Sequence, residues 1–144
     1  MKFVNYIVLL VRLVLVAAFL LAAIPKIQDP VGFAGSVESY RILTGQAVLW
    51  VALVLPWLEL VIGFGLLIPK MRRASSLLII LLLFIFVGLH ASAWIRGLDI
   101  DCGCYAIESV SSNYFLLISR NCALIIAAVF VLTRDWRNHA WNGK

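Results

Sequence analysis

Charge is what this chain has least of. Only 13% of its 144 residues are Asp, Glu, Lys or Arg, while 64% are hydrophobic. A soluble domain has roughly a quarter of the first and half of the second, so an ordinary water-soluble fold is excluded. Cysteine is scarce as well. There are three, two of them one residue apart at Cys102-Gly103-Cys104, and no second loop pair accompanies them. No internal repeat stands out. A secretory signal is also missing: the first apolar run is longer than the roughly 7–15 residues of a signal core, carries Arg12, and ends in Pro25-Lys26 without a small-residue cleavage site. It reads as a retained helix.

What is present is a set of four long apolar stretches, at about 4–24, 47–68, 74–95 and 115–133. Each reaches the roughly 20 residues a helix needs to cross a bilayer, and each is apolar nearly all round. The expected fold is an all-α integral membrane protein, a bundle of four transmembrane helices forming one membrane domain over 1–144. Asp29-Pro30 is a helix start, with Asp as N-cap and Pro at the first position, where its missing N–H costs nothing. Phe33, Val37 and Tyr40 follow at helical spacing, so a short amphipathic helix is expected over about 30–42, an interfacial connector or a cover for the bundle mouth.

The basic residues set an orientation. Lys2, Lys70, Arg72, Arg73, Arg134, Arg137 and Lys144, seven of the twelve, fall on one side. Lys26, Arg41 and Arg96 fall on the other, among Asp29, Glu38, Asp99, Asp101 and Glu108. By the positive-inside rule the first side is cytoplasmic, with both termini in, and the Cys102–Cys104 loop faces outward. The expected location is a bacterial inner membrane. The net charge of +5 then reflects topology and not a nucleic-acid partner.

On that side disulfides form and persist. A disulfide between Cys102 and Cys104 would close a small strained ring that Gly103 permits, which favours exchange over stapling. Arg96 is the nearest cation in sequence, against three acids. Cys102 and Cys104 are therefore the candidate catalytic residues of a thiol–disulfide oxidoreductase. Two alternatives stay open, a structural disulfide in a non-catalytic assembly factor and soft-metal handling. For the latter the pair supplies two of about four ligands, and the spacing matches no structural zinc pattern. Cys122, inside the fourth helix, reads as a small packed residue.

Within the membrane, Arg12 and Glu59 each lie about nine residues from the cytoplasmic end of their helices, roughly 13 Å deep. Opposite charges at equal depth are expected to pair. Pro56 stands one turn before Glu59, and His90 and Arg120 lie toward the outer side. Arg12, Glu59, His90 and Arg120 are the candidate residues for holding a cofactor, with a quinone as the candidate ligand, or for relaying protons.

The segments IPKIQDPVGFAGSVESYRIL, LPWLEL, GLDIDCGCYA and SRNCALI, in that order, resemble the MauE/DoxX group of small bacterial membrane proteins over nearly the whole chain. Tyr105-Ala106 stands where many relatives have Phe-Gly, which leaves the thiols untouched. The resemblance implies a four-helix protein supporting extracytoplasmic redox or maturation chemistry, with MauE-like members tied to assembly of a disulfide-rich methylamine dehydrogenase subunit. The architecture is also similar to the DsbB and vitamin K epoxide reductase families, although their usual second cysteine pair is missing. The implied partners are the lipid bilayer, a thioredoxin-like or cysteine-rich extracytoplasmic protein, and a second copy of the chain in a homo-oligomer.

Overall fold

The computed structural model describes residues 2–98 and 114–142, and every regular element among them is helical. The elements are α1 (Lys2–Gln28), α2 (Pro30–Ser39), α3 (Gln46–Gly65), α4 (Arg72–Ile95) and α5 (Tyr114–Asn142). Four of them, α1, α3, α4 and α5, are long and apolar enough to cross a membrane. Their outer surfaces carry large apolar side chains such as Leu10, Leu53, Phe84 and Ile126, all exposed on the bundle. Such a surface is stable only against lipid.

The helices form a ring. α1 packs on α3 and α5, and α4 on α3 and α5, while the backbones of the diagonal partners stay apart. Side chains therefore fill the axis, and they do so in layers. The middle layer is apolar, with Leu15, Val16 and Phe19 of α1 against Ile62, Leu66, Ile79, Leu83, Ala128 and Val131. At the end holding the α3–α4 turn, Arg73 lies over the ring of Trp136, 5.8 Å from its centroid. The basic cluster Lys70–Arg73 and the end of α5 thus share one face of the bundle, called here the inner end.

Local chemistry sets the helix ends. Asp29 caps α2 as expected, accepting a hydrogen bond from the Gly32 N–H at 2.9 Å, with Pro30 in the first turn. α2 stops at Ser39, three residues before the expected Ile42, because Arg41 turns into the left-handed region at φ 52°. α4 closes in a Schellman motif: Gly97, at φ 61°, donates to Trp94 O, and Leu98 donates to Ala93 O, both at 3.1 Å. The spans differ from expectation mainly at two ends. α1 runs on to Gln28 and α5 to Asn142, four and nine residues past the expected stops at 24 and 133.

Candidate functional site

Those two extensions relocate the buried charges. Lys26, placed by its position in the sequence in an outward loop, belongs to the last turn of α1 and is only 1% exposed. Its Nζ donates to both oxygens of Glu59, at 2.6 and 2.9 Å, and Glu59 is likewise 1% exposed. The ammonium also lies over the faces of Phe33 and Phe86, 5.1 and 5.5 Å from their centroids. Aromatic faces are negative, so protein groups meet the charge on three sides.

The expected Arg12–Glu59 pair does not form. Arg12 Nη2 instead donates to Asp135 Oδ1 at 2.7 Å, near the inner end. The reason is register. A Cβ on Gly63 would lie 3.4 Å from the Cβ of Phe19, which sets residue 63 of α3 beside residue 19 of the antiparallel α1. Glu59 then faces the neighbourhood of Ala22, one turn from Lys26 and about 15 Å along the axis from Arg12. Equal depth assumed that α1 and α3 end in the same plane. They do not: α1 stops short of the outer end of α3, and α2 fills the step.

His90 of α4 enters the same layer, 3% exposed. Its Nδ1 lies 2.5 Å from Phe86 O, and since a carbonyl only accepts, Nδ1 carries the proton. Tyr40 of α2 meets the imidazole edge-on, with centroids 6.0 Å apart and planes at 81°. From α5 come Arg120 and Asn121. Asn121 is 3% exposed, and its Nδ2 has no hydrogen-bond partner among the described residues.

Two cavities adjoin this layer and share Lys26, Phe86 and His90 as their common wall. The inner one, about 40 Å³, is bounded by Glu59, Arg120, Asn121 and apolar residues including Phe19 and Leu83. The outer one, about 100 Å³, lies under α2 between Phe33, Ser36, Val37 and Tyr40 above and Val51, Leu55 and Leu89 beside. α2 is thus a cover over the bundle mouth. Arg96 Nη1 donates to Tyr40 O at 2.9 Å, tying the end of α4 to the end of α2. The Tyr114 hydroxyl donates to Leu98 O, which joins the two flanks of segment 99–113 at this same outer end.

Of the sequence-level candidates, Glu59, His90 and Arg120 come together around the inner cavity, and Arg12 does not join them. Cys102 and Cys104 lie outside the described residues. Cys122 is exposed on α5 and not packed as expected, because it follows the buried Asn121 and a helix turns about 100° per residue. Sequence reasoning missed Lys26, Asn121, Tyr40, Phe86 and Asp135. For Lys26 a signal existed: the Asp29-Pro30 helix start permits α1 to run up to that point.

These features define a multi-pass membrane protein with a buried, cavity-lined polar layer near one end. The sequence model described as "Methylamine utilisation protein MauE" matches residues 4–134, and the chain belongs to that family. Among curated proteins it is similar to "Methylamine utilization protein MauE" of Methylorubrum extorquens, 35% identical over 82% of this chain and 64% of that protein. The protein of the same name from Paracoccus denitrificans is 32% identical over 85% of this chain and 66% of that protein. The one from Methylophilus methylotrophus is 40% identical over 67% and 49%. The chain spans about two thirds of the length of the first two relatives. No solved structure matches.

Proposed function

We propose that this protein serves methylamine utilisation, the role its relatives' names give to them, through thiol–disulfide exchange at the extracytoplasmic face. The client is a thioredoxin-like protein or a cysteine-rich protein such as a methylamine dehydrogenase subunit during its maturation. Cys102 and Cys104 carry the exchange.

The supporting observation is where the flanks of their segment lie. Leu98 and Tyr114 are joined at the outer end of the bundle, opposite the basic α3–α4 turn. Cys102 and Cys104 follow Leu98 by four and six residues in the sequence. The positive-inside rule assigns the basic end to the cytoplasm and this end to the oxidising side of an inner membrane.

The exchange balances without a further reagent. A thiolate of the pair attacks a client disulfide, forming a mixed disulfide and releasing one client thiolate. The second thiol then attacks the mixed disulfide, releases the second client thiolate, and leaves Cys102 and Cys104 joined. Run in reverse, the same steps pass a disulfide to a reduced client.

Trapping tests this reading. Cys102→Ser and Cys104→Ser each remove one resolving thiol, and at least one is expected to accumulate a covalent client adduct that dithiothreitol releases. No adduct from either variant, with a wild-type pair that stays oxidised in mild reductant, would make the disulfide a staple. A membrane-impermeant thiol reagent is expected to label the wild-type pair from outside the inner membrane. Labelling only after that membrane is permeabilised would reverse the orientation.

A further inference from the structure

The inner end of the bundle gathers more positive charge than the fold itself uses. Arg12, Lys70, Arg72, Arg73, Arg134 and Arg137 lie there, and Asp135 is the one carboxylate beside them among the described residues. Asp135 is already taken by Arg12. The start of α4 adds to the imbalance. Its first turn carries Arg72 and Arg73 with no acid and no side-chain cap, so two guanidiniums stand against the positive end of the helix dipole. A bound anion relieves that repulsion.

The arginines are placed, and not merely numerous. Arg73 lies over the ring of Trp136, and Arg134 over that of Phe130, 5.8 and 5.5 Å from the centroids. A guanidinium stacked on a ring keeps its in-plane N–H groups for an acceptor. Arg72 precedes the buried Ser75 and Ser76 by one turn, and Arg134 follows the buried Val131 by one, so each is on the side of its helix that packs into the bundle. Both are half-buried, and the Nε of each has no hydrogen-bond partner among the described residues. Such donors match the several oxygens of a phosphate, which arginine binds through paired N–H groups.

The bilayer is the source that fits. Trp136 is exposed beside Arg73, and tryptophan favours the membrane–water interface. Leu77, one turn beyond Arg73, and Val129, two turns before Trp136, are exposed as well, so an apolar track leads from the arginines along the membrane spans. A free phosphate has no use for that track. A zwitterionic headgroup carries its own cation, so the surplus of arginine selects an anionic lipid.

We propose that the seam between the start of α4 and the end of α5 binds the headgroup phosphate of an anionic phospholipid, held by Arg72, Arg73 and Arg134. An acyl chain follows Leu77 and Val129 into the bilayer. The lipid then ties α4 to α5 at the end where Arg12–Asp135 ties α1 to α5. This seam is at the opposite end of the bundle from Leu98 and Tyr114, and binding there depends neither on thiol exchange nor on which side of the membrane the inner end faces.

Native mass spectrometry of the full chain in detergent, titrated with defined lipids, tests this. Dioleoyl phosphatidylglycerol is expected to bind about tenfold more tightly than dioleoyl phosphatidylcholine. The paired change Arg72→Gln with Arg134→Gln is expected to abolish that preference. Lys70→Gln with Arg137→Gln removes the same charge outside the seam, and is expected to keep most of the preference. Glycerol phosphate, which has the phosphate without acyl chains, is expected not to displace the lipid. In the unaltered chain, phosphatidylglycerol with a photoreactive diazirine on its acyl chain is expected to label peptides containing Leu77 or Val129, a result that needs no variant to fold. Equal binding of the two lipids, equal losses in the two paired variants, displacement by glycerol phosphate, or labelling confined to other peptides would overturn the proposal.

Discussion

Lys26–Glu59 and Arg12–Asp135 both join opposite charges on neighbouring helices inside an apolar bundle, yet they are built differently. The outer pair is bidentate, 1% exposed at each side chain, and bordered by two cavities. The inner pair makes one contact, at 7% and 11% exposure, and leaves Arg12 Nε and Asp135 Oδ2 without partners among the described residues. Asp135 stands between Arg134 and Arg137 near the end of the α5 span, and its pair is the more exposed of the two. A loose pair suffices there. Lys26 and Glu59 are more deeply buried, and the Lys26 ammonium carries the cost of desolvation if Glu59 is lost. Stability alone would be served as well by apolar side chains in their place. The reading at stake is that the outer pair, which borders two cavities, serves function, whereas the inner pair joins α1 to α5 as a clamp.

Single substitutions sharpen the contrast. The largest effect is expected from Glu59→Gln, which strands the Lys26 ammonium and should cost about 3–5 kcal/mol. Thermal unfolding in detergent measures it. Combining it with Arg12→Gln should give losses that add to within about 0.5 kcal/mol, since the two groups share no partner. A larger coupling would restore the Arg12–Glu59 pair and collapse the distinction. Asp135→Asn is expected to cost less, about 1–2 kcal/mol, because it weakens a single contact and the amide keeps an acceptor oxygen for Arg12. A loss equal to that of Glu59→Gln would make the two pairs alike. Asp29→Ala removes the α2 cap and is expected to cost about 1 kcal/mol, while loosening the cover over the outer cavity but not the inner clamp. Hydrogen exchange confined to α2 would show this, and increased exchange along α5 would contradict it.

How much of this was legible in the sequence follows from the kind of interaction involved. Membrane spans announce themselves through composition, and α2 through Asp29, Pro30 and the spacing of Phe33, Val37 and Tyr40. Glu59, His90 and Arg120 drew notice because polar groups within apolar runs are conspicuous. Their partners were hidden by helix ends and register. Lys26 looks like a loop residue until α1 is seen to pass through Pro25, and Asp135 looks like part of a tail until α5 is seen to continue. Register between antiparallel helices is set by close contacts such as Gly63 against Phe19, which no single-chain pattern displays. Arg41 gives no hint of its left-handed backbone, since glycine is the residue that normally marks such a turn.

One measurement bears most directly on the claim that the outer layer is kept for function and not for stability. Lys26→Met combined with Glu59→Gln removes both charges while preserving approximate side-chain volume, and leaves the rest of the bundle untouched. Its melting temperature in detergent and its ability to support growth on methylamine, in a host lacking its own copy of the protein, are read on the same variant. The account predicts unfolding within a few degrees of the wild type together with loss of growth. Full growth from a variant that melts like the wild type would contradict it, and would reduce Lys26–Glu59 to a packing device like its counterpart at the inner end.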